Sequence, residues 1–178
     1  MARRIRYTGD PVLTVSEVVD WVREDPASVQ TALINDLVIP TVTAQCEADT
    51  GAAIRQAEYV EDWPAGTSSR ALDVGQATEI ISVASPLAGA VPLPADQYSL
   101  QVGQRVSVLT VPPGSGALRI AYKAGVDLQA YPSVRAWMLM YAATLWAQRE
   151  IIAQGGQTPL PSPFLASMLS DIMVPPRF

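Results

Sequence analysis

From Val134 to Ala147 the chain is apolar at nearly every position, with only Arg135 and Thr144 interrupting. Pro132 opens this run, where a proline loses no helical hydrogen bond, and Gly155-Gly156 closes it. Trp137, Met138, Leu139, Met140, Tyr141, Leu145 and Trp146 fall all round such a helix, so it must be covered on every side. A bilayer span takes about 20 apolar residues, so the run reads as a central core or interface helix.

Two helices precede it. Thr14 to Arg23 carries Val15, Val18, Val19 and Val22 on one side, and Thr14 with Glu17 fits a capping box. Trp21 reaches the same core or a partner. The next helix is expected to start at Asp25-Pro26, with Val29, Leu33, Leu37 and Ala44 at helical spacing and Ile34 and Cys46 flanking them. Gly51 stops it. Pro40 lies inside it, where it deletes a hydrogen bond and clashes with the carbonyl four residues back at a cost of about 3 kcal/mol. The expected result is one kinked helix.

From Ala53 to Ala124 the period changes to two. Strands are predicted at Ile54–Glu61, Ala71–Val74, Glu79–Ala84, Gln97–Val102, Arg105–Val111 and Ala117–Tyr122. Gln101-Val102-Gly103-Gln104 and Pro112-Pro113-Gly114-Ser115-Gly116 read as hairpin turns. Beyond the apolar helix, Pro159, Pro161 and Pro163 form a stiff spacer. Ser162 caps a last helix with Phe164, Leu165, Met168, Leu169 and Ile172 on one face. The predicted class is α+β, mainly a bundle of about four helices with a small antiparallel β insertion. The expected organisation is an N-terminal arm and helices over 1–52, the β unit over 53–124, and C-terminal helices and tail over 125–178. Residues 14–52 and 130–172 are expected to share one helical core.

Charge narrows the function classes. The 178 residues are 49% hydrophobic and only 16% charged, against about 25% charged in a typical domain, which points to apolar surface meant for a partner. Net charge is −5, and Lys123 is the only lysine. No positive stripe for gripping nucleic acid appears beyond Arg3, Arg4 and Arg6. Those three read as a solvated flexible arm or as an arm docking on an acidic neighbour; no apolar run follows to make a signal peptide. The single cysteine, Cys46, excludes an intrachain disulfide and fits a reducing compartment.

Candidate chemistry is sparse. With no histidine, the commonest general base and metal ligand are missing. Cys46 reads as a small core residue. Glu58, Glu61 and Asp62 form the densest acidic group and read as a solvated loop edge before Trp63-Pro64. Asp20, Glu24 and Asp25 are explained by a helix end, and Gly114-Ser115-Gly116 by a turn. The chain is therefore expected not to be an enzyme, with no catalytic, cofactor-binding or metal-binding residue and no cofactor.

The order of these segments resembles the head–tail connector, or adaptor, family of long-tailed bacteriophages and gene-transfer particles. The resemblance runs through Thr14-Val15-Ser16-Glu17-Val18-Val19, Leu33-Ile34-Asn35-Asp36-Leu37 and Glu47-Ala48-Asp49-Thr50-Gly51. It continues in Ile80-Ile81-Ser82-Val83, Leu93 to Leu100, Leu118 to Gly125, Tyr131-Pro132 with Val134-Arg135, and Trp146 to Glu150. Pro40 departs from it, since similar proteins usually keep a helix former there. It implies a homo-oligomeric ring of twelve subunits in the virion neck, made in the host bacterial cytoplasm. It also implies that the ring docks under the portal protein, carries a stopper or tail-completion protein, and leaves a channel for DNA without binding it specifically. No membrane partner is expected. Arg3, Arg4, Arg6, Arg149, Glu150, Pro175, Pro176, Arg177 and Phe178 are the candidate partner contacts. The competing readings are another neck protein, mostly β, or a non-viral cytoplasmic ligand-binding module.

Overall fold

Residues 1–25, 27, 29–103, 105–147 and 162–175 are described by a computed structural model. The chain divides into two compact units. One is built from Met1–Asp10, Gly51–Val126 and the chain from Val174; the other from Pro11–Thr50 and Asp127–Met173. Among the described residues helices occupy about 34% and strands about 24%, so the expectation of a mainly helical protein is corrected to a balanced α+β fold. The strands cover about as many residues as the sequence predicts and gain one member at the N-terminus, while the helical course expected from residue 25 begins only at Thr31.

The second unit is helical. Its first helix, α1 (Val15–Val22), begins with the predicted capping box: the Thr14 hydroxyl accepts from the Glu17 N–H at 3.3 Å, and Glu17 accepts from the Thr14 N–H at 2.8 Å. Arg23 ends it in the left-handed region at φ 58°. Next come α2 (Thr31–Leu33), a π turn (Ile34–Val38) and α3 (Ile39–Thr50), which run on as one helical course. That course starts at Thr31, not at Asp25-Pro26. Asp25 instead accepts from the Ala27 N–H at 3.0 Å and closes a local turn; Pro26 lies outside the described residues.

Pro40 explains the π turn. A proline ring would strike the Asp36 carbonyl in a regular α-helix, and its nitrogen has no hydrogen to donate. Widening the preceding turn, so that Ile39 N–H bonds to Ile34 C=O five residues back, makes room for the ring. The sequence predicts a kink, and the structure meets the same steric demand by inserting one residue into the ladder. Gly51 follows at φ 69°, a conformation glycine adopts without strain, and α3 ends there as expected.

The apolar run becomes α4 (Pro132–Ala147), and α5 is Ser162–Leu169. Three helices, α1, α3 and α5, pack on α4. Val134, Trp137, Met138, Ala142 and Trp146 are buried, while Leu139, Met140, Tyr141, Ala143 and Leu145 are only half-buried. The helix is thus central, as its composition demands, but the described residues do not cover it on every side.

The first unit is β-rich. Its strands are β1 (Arg3–Tyr7), β2 (Ala57–Trp63), β3 (Ser69–Ala71), β4 (Ala77–Ala84), β5 (Ser99–Gln101), β6 (Val108–Thr110) and β7 (Leu118–Ala124). They form an antiparallel sheet in the order β1-β2-β7-β4 and a three-stranded antiparallel sheet β3-β6-β5. Alternation in β2 and β7 sends Ala57, Tyr59, Trp63, Leu118, Ile120 and Tyr122 inward, where they meet Leu72, Val83 and Leu109. Burial of such side chains contributes roughly 1.5–3 kcal/mol each. Residues 112–116 do form a turn, but β6 and β7 belong to different sheets, so it is not the hairpin expected. Gly75 is required by proximity: a Cβ there would lie 2.4 Å from the Arg105 carbonyl oxygen and 2.7 Å from Val174 Cγ2.

Candidate assembly surfaces

The arginines at the N-terminus are not a loose arm. Residues 3–7 pair with β2 as an edge strand, and all five are exposed. Nothing in Arg-Arg-Ile-Arg-Tyr alternates by burial, which is why its strand character is hidden in the sequence. Backbone pairing with β2 holds it, and a row of opposite charges sets its register. The register sets Arg6 opposite Glu58, Glu58 opposite Lys123, and Lys123 opposite Glu79, giving plus, minus, plus, minus across all four strands. Arg6 grips Glu58 with two bonds of 2.8 and 2.9 Å, and Lys123 Nζ lies 2.8 Å from Glu79. Close by, Arg119 binds Asp62 through 2.8 and 3.1 Å bonds.

These pairs shift acidity in the expected directions. The hydrogen-bonded Arg6 guanidinium holds Glu58 below the usual carboxylate range, with help from the Lys123 charge. Arg119 does the same to Asp62. Arg6, Arg119 and Lys123 are each raised by the carboxylate they bind. Because water reaches every pair, the row fixes strand register more than it adds stability.

Arg4 takes another direction. Its guanidinium lies 4.3 Å from the Tyr7 ring centre, and that of Arg55 lies 4.5 Å from the same ring. Arg55 also donates to the Gly9 carbonyl at 2.8 Å. Arg3 lines a cleft of about 310 Å³ together with Met1, Val60, Glu61, Asp62 and Arg119.

Glu61 departs from the sequence expectation. Its neighbours Glu58 and Asp62 point outward, but Glu61 is 2% exposed, on the inward side of β2. One oxygen accepts from the Asp73 N–H at 2.8 Å and the Tyr122 hydroxyl at 3.0 Å; the other accepts from the Trp63 indole N–H. Burial, then the Glu61 charge, raises the Tyr122 hydroxyl far above its ordinary value. With its donors supplied from three places, Glu61 ties β2 to β7 and to the segment after β3. The strand period, with 57, 59, 61 and 63 on one face, was the available signal for its burial.

Cys46 sits in the helical core as expected, fully buried, with its thiol pushed up to about 12 by burial and by Asp49 and Glu47. Among the described residues no group of three histidine, cysteine, aspartate or glutamate side chains is placed to hold a metal ion.

Apolar surface is exposed in places the sequence singled out only in part. Leu87 is 76% and Val91 86% exposed in the loop after β4, which the Leu93 N–H fastens to the Val83 carbonyl at 2.7 Å. The signal was present: no charged residue occurs between Glu79 and Asp96. In the helical unit, Trp21 and Phe164 are exposed, and so is Leu37, expected on the inward face but turned outward within the π turn. Of the candidate contacts, Arg149, Glu150, Pro176, Arg177 and Phe178 lie outside the described residues. Pro175 is exposed, directly after Val174, whose side chain lies against Gly75.

No protein-family model matches this chain, and no curated protein matches it significantly. Solved structures match it over nearly its whole length. A chain from the neck of an empty gene transfer agent (GTA) particle, computed with C6 symmetry, aligns with a TM-score of 0.74 at 13% identity, covering 100% of this chain and 97% of that one. A chain from the virion of a native GTA particle aligns at 0.74 and 15%, covering 99% and 97%. One from the neck of a native GTA particle, computed with C12 symmetry, aligns at 0.69 and 17%, again covering 99% and 97%. At these identities the likeness is one of fold.

Proposed function

We propose that this chain is a structural neck protein of a phage-like particle: a ring-forming head–tail adaptor that docks under the portal and carries the stopper or tail. The observation that carries this reading is the end-to-end match, in both directions, to chains of gene transfer agent necks. Partial coverage would point to a shared module; full coverage points to a shared job. The half-covered helix α4 supports it, since an apolar helix that the described residues leave partly open is the material of a subunit interface. The C12 and C6 symmetries of the matched necks support a ring of twelve copies. In such a ring each copy presents one patch to a different patch on the next.

On this reading the protein performs no catalysis and needs no cofactor. Its acidic balance lets DNA pass a central channel without adhering. Among the described residues no helix is long and apolar enough to cross a membrane. The helical content favours an adaptor over a mostly-β stopper. Portal contact is assigned to the C-terminal tail. Truncation after Pro175 should lower co-purification with the portal protein at least tenfold while the melting temperature stays within a degree. Electron microscopy of particles tests the reading as a whole. A ring of this chain between portal and tail is the expected result, and complete particles without it would overturn the proposal.

A further inference from the structure

Gly75 has no conformational reason to be glycine, since its φ lies outside the left-handed region. The reason is space: a Cβ there would stand 2.7 Å from Val174 Cγ2. Gly51, which ends α3 at φ 69°, has a second role. A Cβ on it would touch Val174 Cβ at 3.4 Å and Cγ2 at 3.9 Å. Ala52 and Gly75 are joined by a parallel β bridge, so the two glycines flank one seam of the β unit. Two bare backbones side by side leave a notch, and the Val174 side chain fills it.

The neighbours of Val174 in the chain single it out. Ile172, fully buried in the helical unit, closes the turn after α5 with its N–H on the Leu169 carbonyl at 3.2 Å. Met173 and Pro175 are both exposed. Between them Val174 is half-buried, against the β unit to which it belongs. Being half-buried, it contributes less to stability than a core valine does. Its other consequence is directional. Pro175 has a fixed φ and confines the residue before it to extended backbone. The direction in which Val174 leaves the notch is therefore passed on to Pro175 with little slack.

We propose that the Gly51–Gly75 notch is a socket that aims the C-terminal tail. Val174 is its positioning residue, seated on the β unit so that the residues after it reach the portal protein from a fixed root. This rests on the reading that the tail contacts the portal, and it adds how that contact is prepared. A tail fixed at its root loses less conformational freedom on docking than one that swings freely.

The test uses full-length variants, each measured by co-purification with the portal protein and by melting temperature, beside the truncation after Pro175. Val174→Ala withdraws the methyl that meets both glycines. Inserting two glycines between Val174 and Pro175 leaves the notch filled and the tail complete but uncouples one from the other. Val174→Thr keeps the shape. The first two should weaken co-purification about fivefold or more, and the third should stay within about twofold of the unaltered chain. Every melting temperature should stay within about four degrees, because no fully buried group is removed. If the truncation weakens co-purification while Val174→Ala and the insertion do not, the tail still contacts the portal and the socket is refuted. A Val174→Ala variant that melts lower by more than that margin refutes it too, by making Val174 a support of the fold. If the truncation changes nothing, the portal contact itself falls and takes the socket with it.

Discussion

The β unit and the helical unit solve the problem of a charged or polar side chain in opposite ways. In the β unit, charges are answered locally: Arg6, Glu58, Lys123 and Glu79 neutralise one another along one row, and buried Glu61 is surrounded by donors. In the helical unit, charge is left in surplus, and α4 keeps an apolar side half-open. Single groups there do find partners, Glu17 with Arg135, Asp36 with Asn35, Asp49 with Gln45 and Glu24 with the Trp146 indole, but mostly neutral ones that leave the negative charge uncancelled. A sheet whose charges cancel in pairs, with a helical unit that carries excess negative charge and a half-covered apolar helix, is the division expected of a subunit whose sheet keeps shape and whose helices seek neighbours. The comparison teaches that charge cancelled within a sheet and charge left in excess on helices are separate solutions that overall composition averages away.

The sharpest way to break this contrast is to spoil the satisfaction of the sheet. Glu61→Ala strands the Asp73 N–H, the Tyr122 hydroxyl and the Trp63 indole in a dry interior. We expect a loss of about 4 kcal/mol in urea unfolding, since each stranded donor costs about 1–3 kcal/mol. A loss below about 1 kcal/mol would show that Glu61 is not a tie. Next in size is Met138→Ala, which opens a cavity at a fully buried site of α4 and should cost about 3 kcal/mol in the same measurement.

Two residues on, Met140→Ala sharpens the comparison. Met140 is half-buried in the single chain, so the monomer should lose less than about 1 kcal/mol while self-association falls several-fold. Equal effects of Met138→Ala and Met140→Ala on monomer stability would refute the claim of an open side. Smallest is a pH effect on β1. Glu58 has a lowered pKa when folded, so its stabilising contribution is full above its unfolded value. It is lost as pH falls through the lowered folded value. Amide exchange of residues 3–7, corrected for intrinsic rates, should speed up below pH 4 and be flat from pH 6 to 8. Faster exchange on raising the pH would reverse the sign and exclude the Arg6 pair as the fastening.

Legibility in the sequence followed the same divide. Where local chemistry decides, the residues announced the structure. Thr14 and Glu17 made their capping box, Gly51 ended its helix, and the alternation of Leu118, Ile120 and Tyr122 gave β7 its inward face. Where partners distant in sequence decide, they did not. The edge strand β1 pairs with β2 in a register matched by Glu58, 52 residues from Arg6, and no window of five residues contains that information. Glu61 was hidden among acidic neighbours because charge density masked the two-residue period that assigns it to the core. Asp25 offered a credible cap, and the turn it closes at Ala27 used that capacity before the long helix began. Of the candidate contacts, the arginines were found but their ordered strand was not. The exposed Leu87 and Val91 went unnoticed because lone apolar residues in a loop carry no periodic signature.

The widened turn at Ile34–Val38 leaves the helix one residue longer than a regular α course between the same end points. In an ordinary helix, losing a residue swings everything downstream through about 100° and scrambles its buried side. Here a single deletion among residues 34–38, combined with replacement of Pro40, would restore a regular course with both flanks still in phase. Divergent relatives are therefore free to differ in length by one at this point, and an alignment gap beside a vanished proline is the trace they should leave.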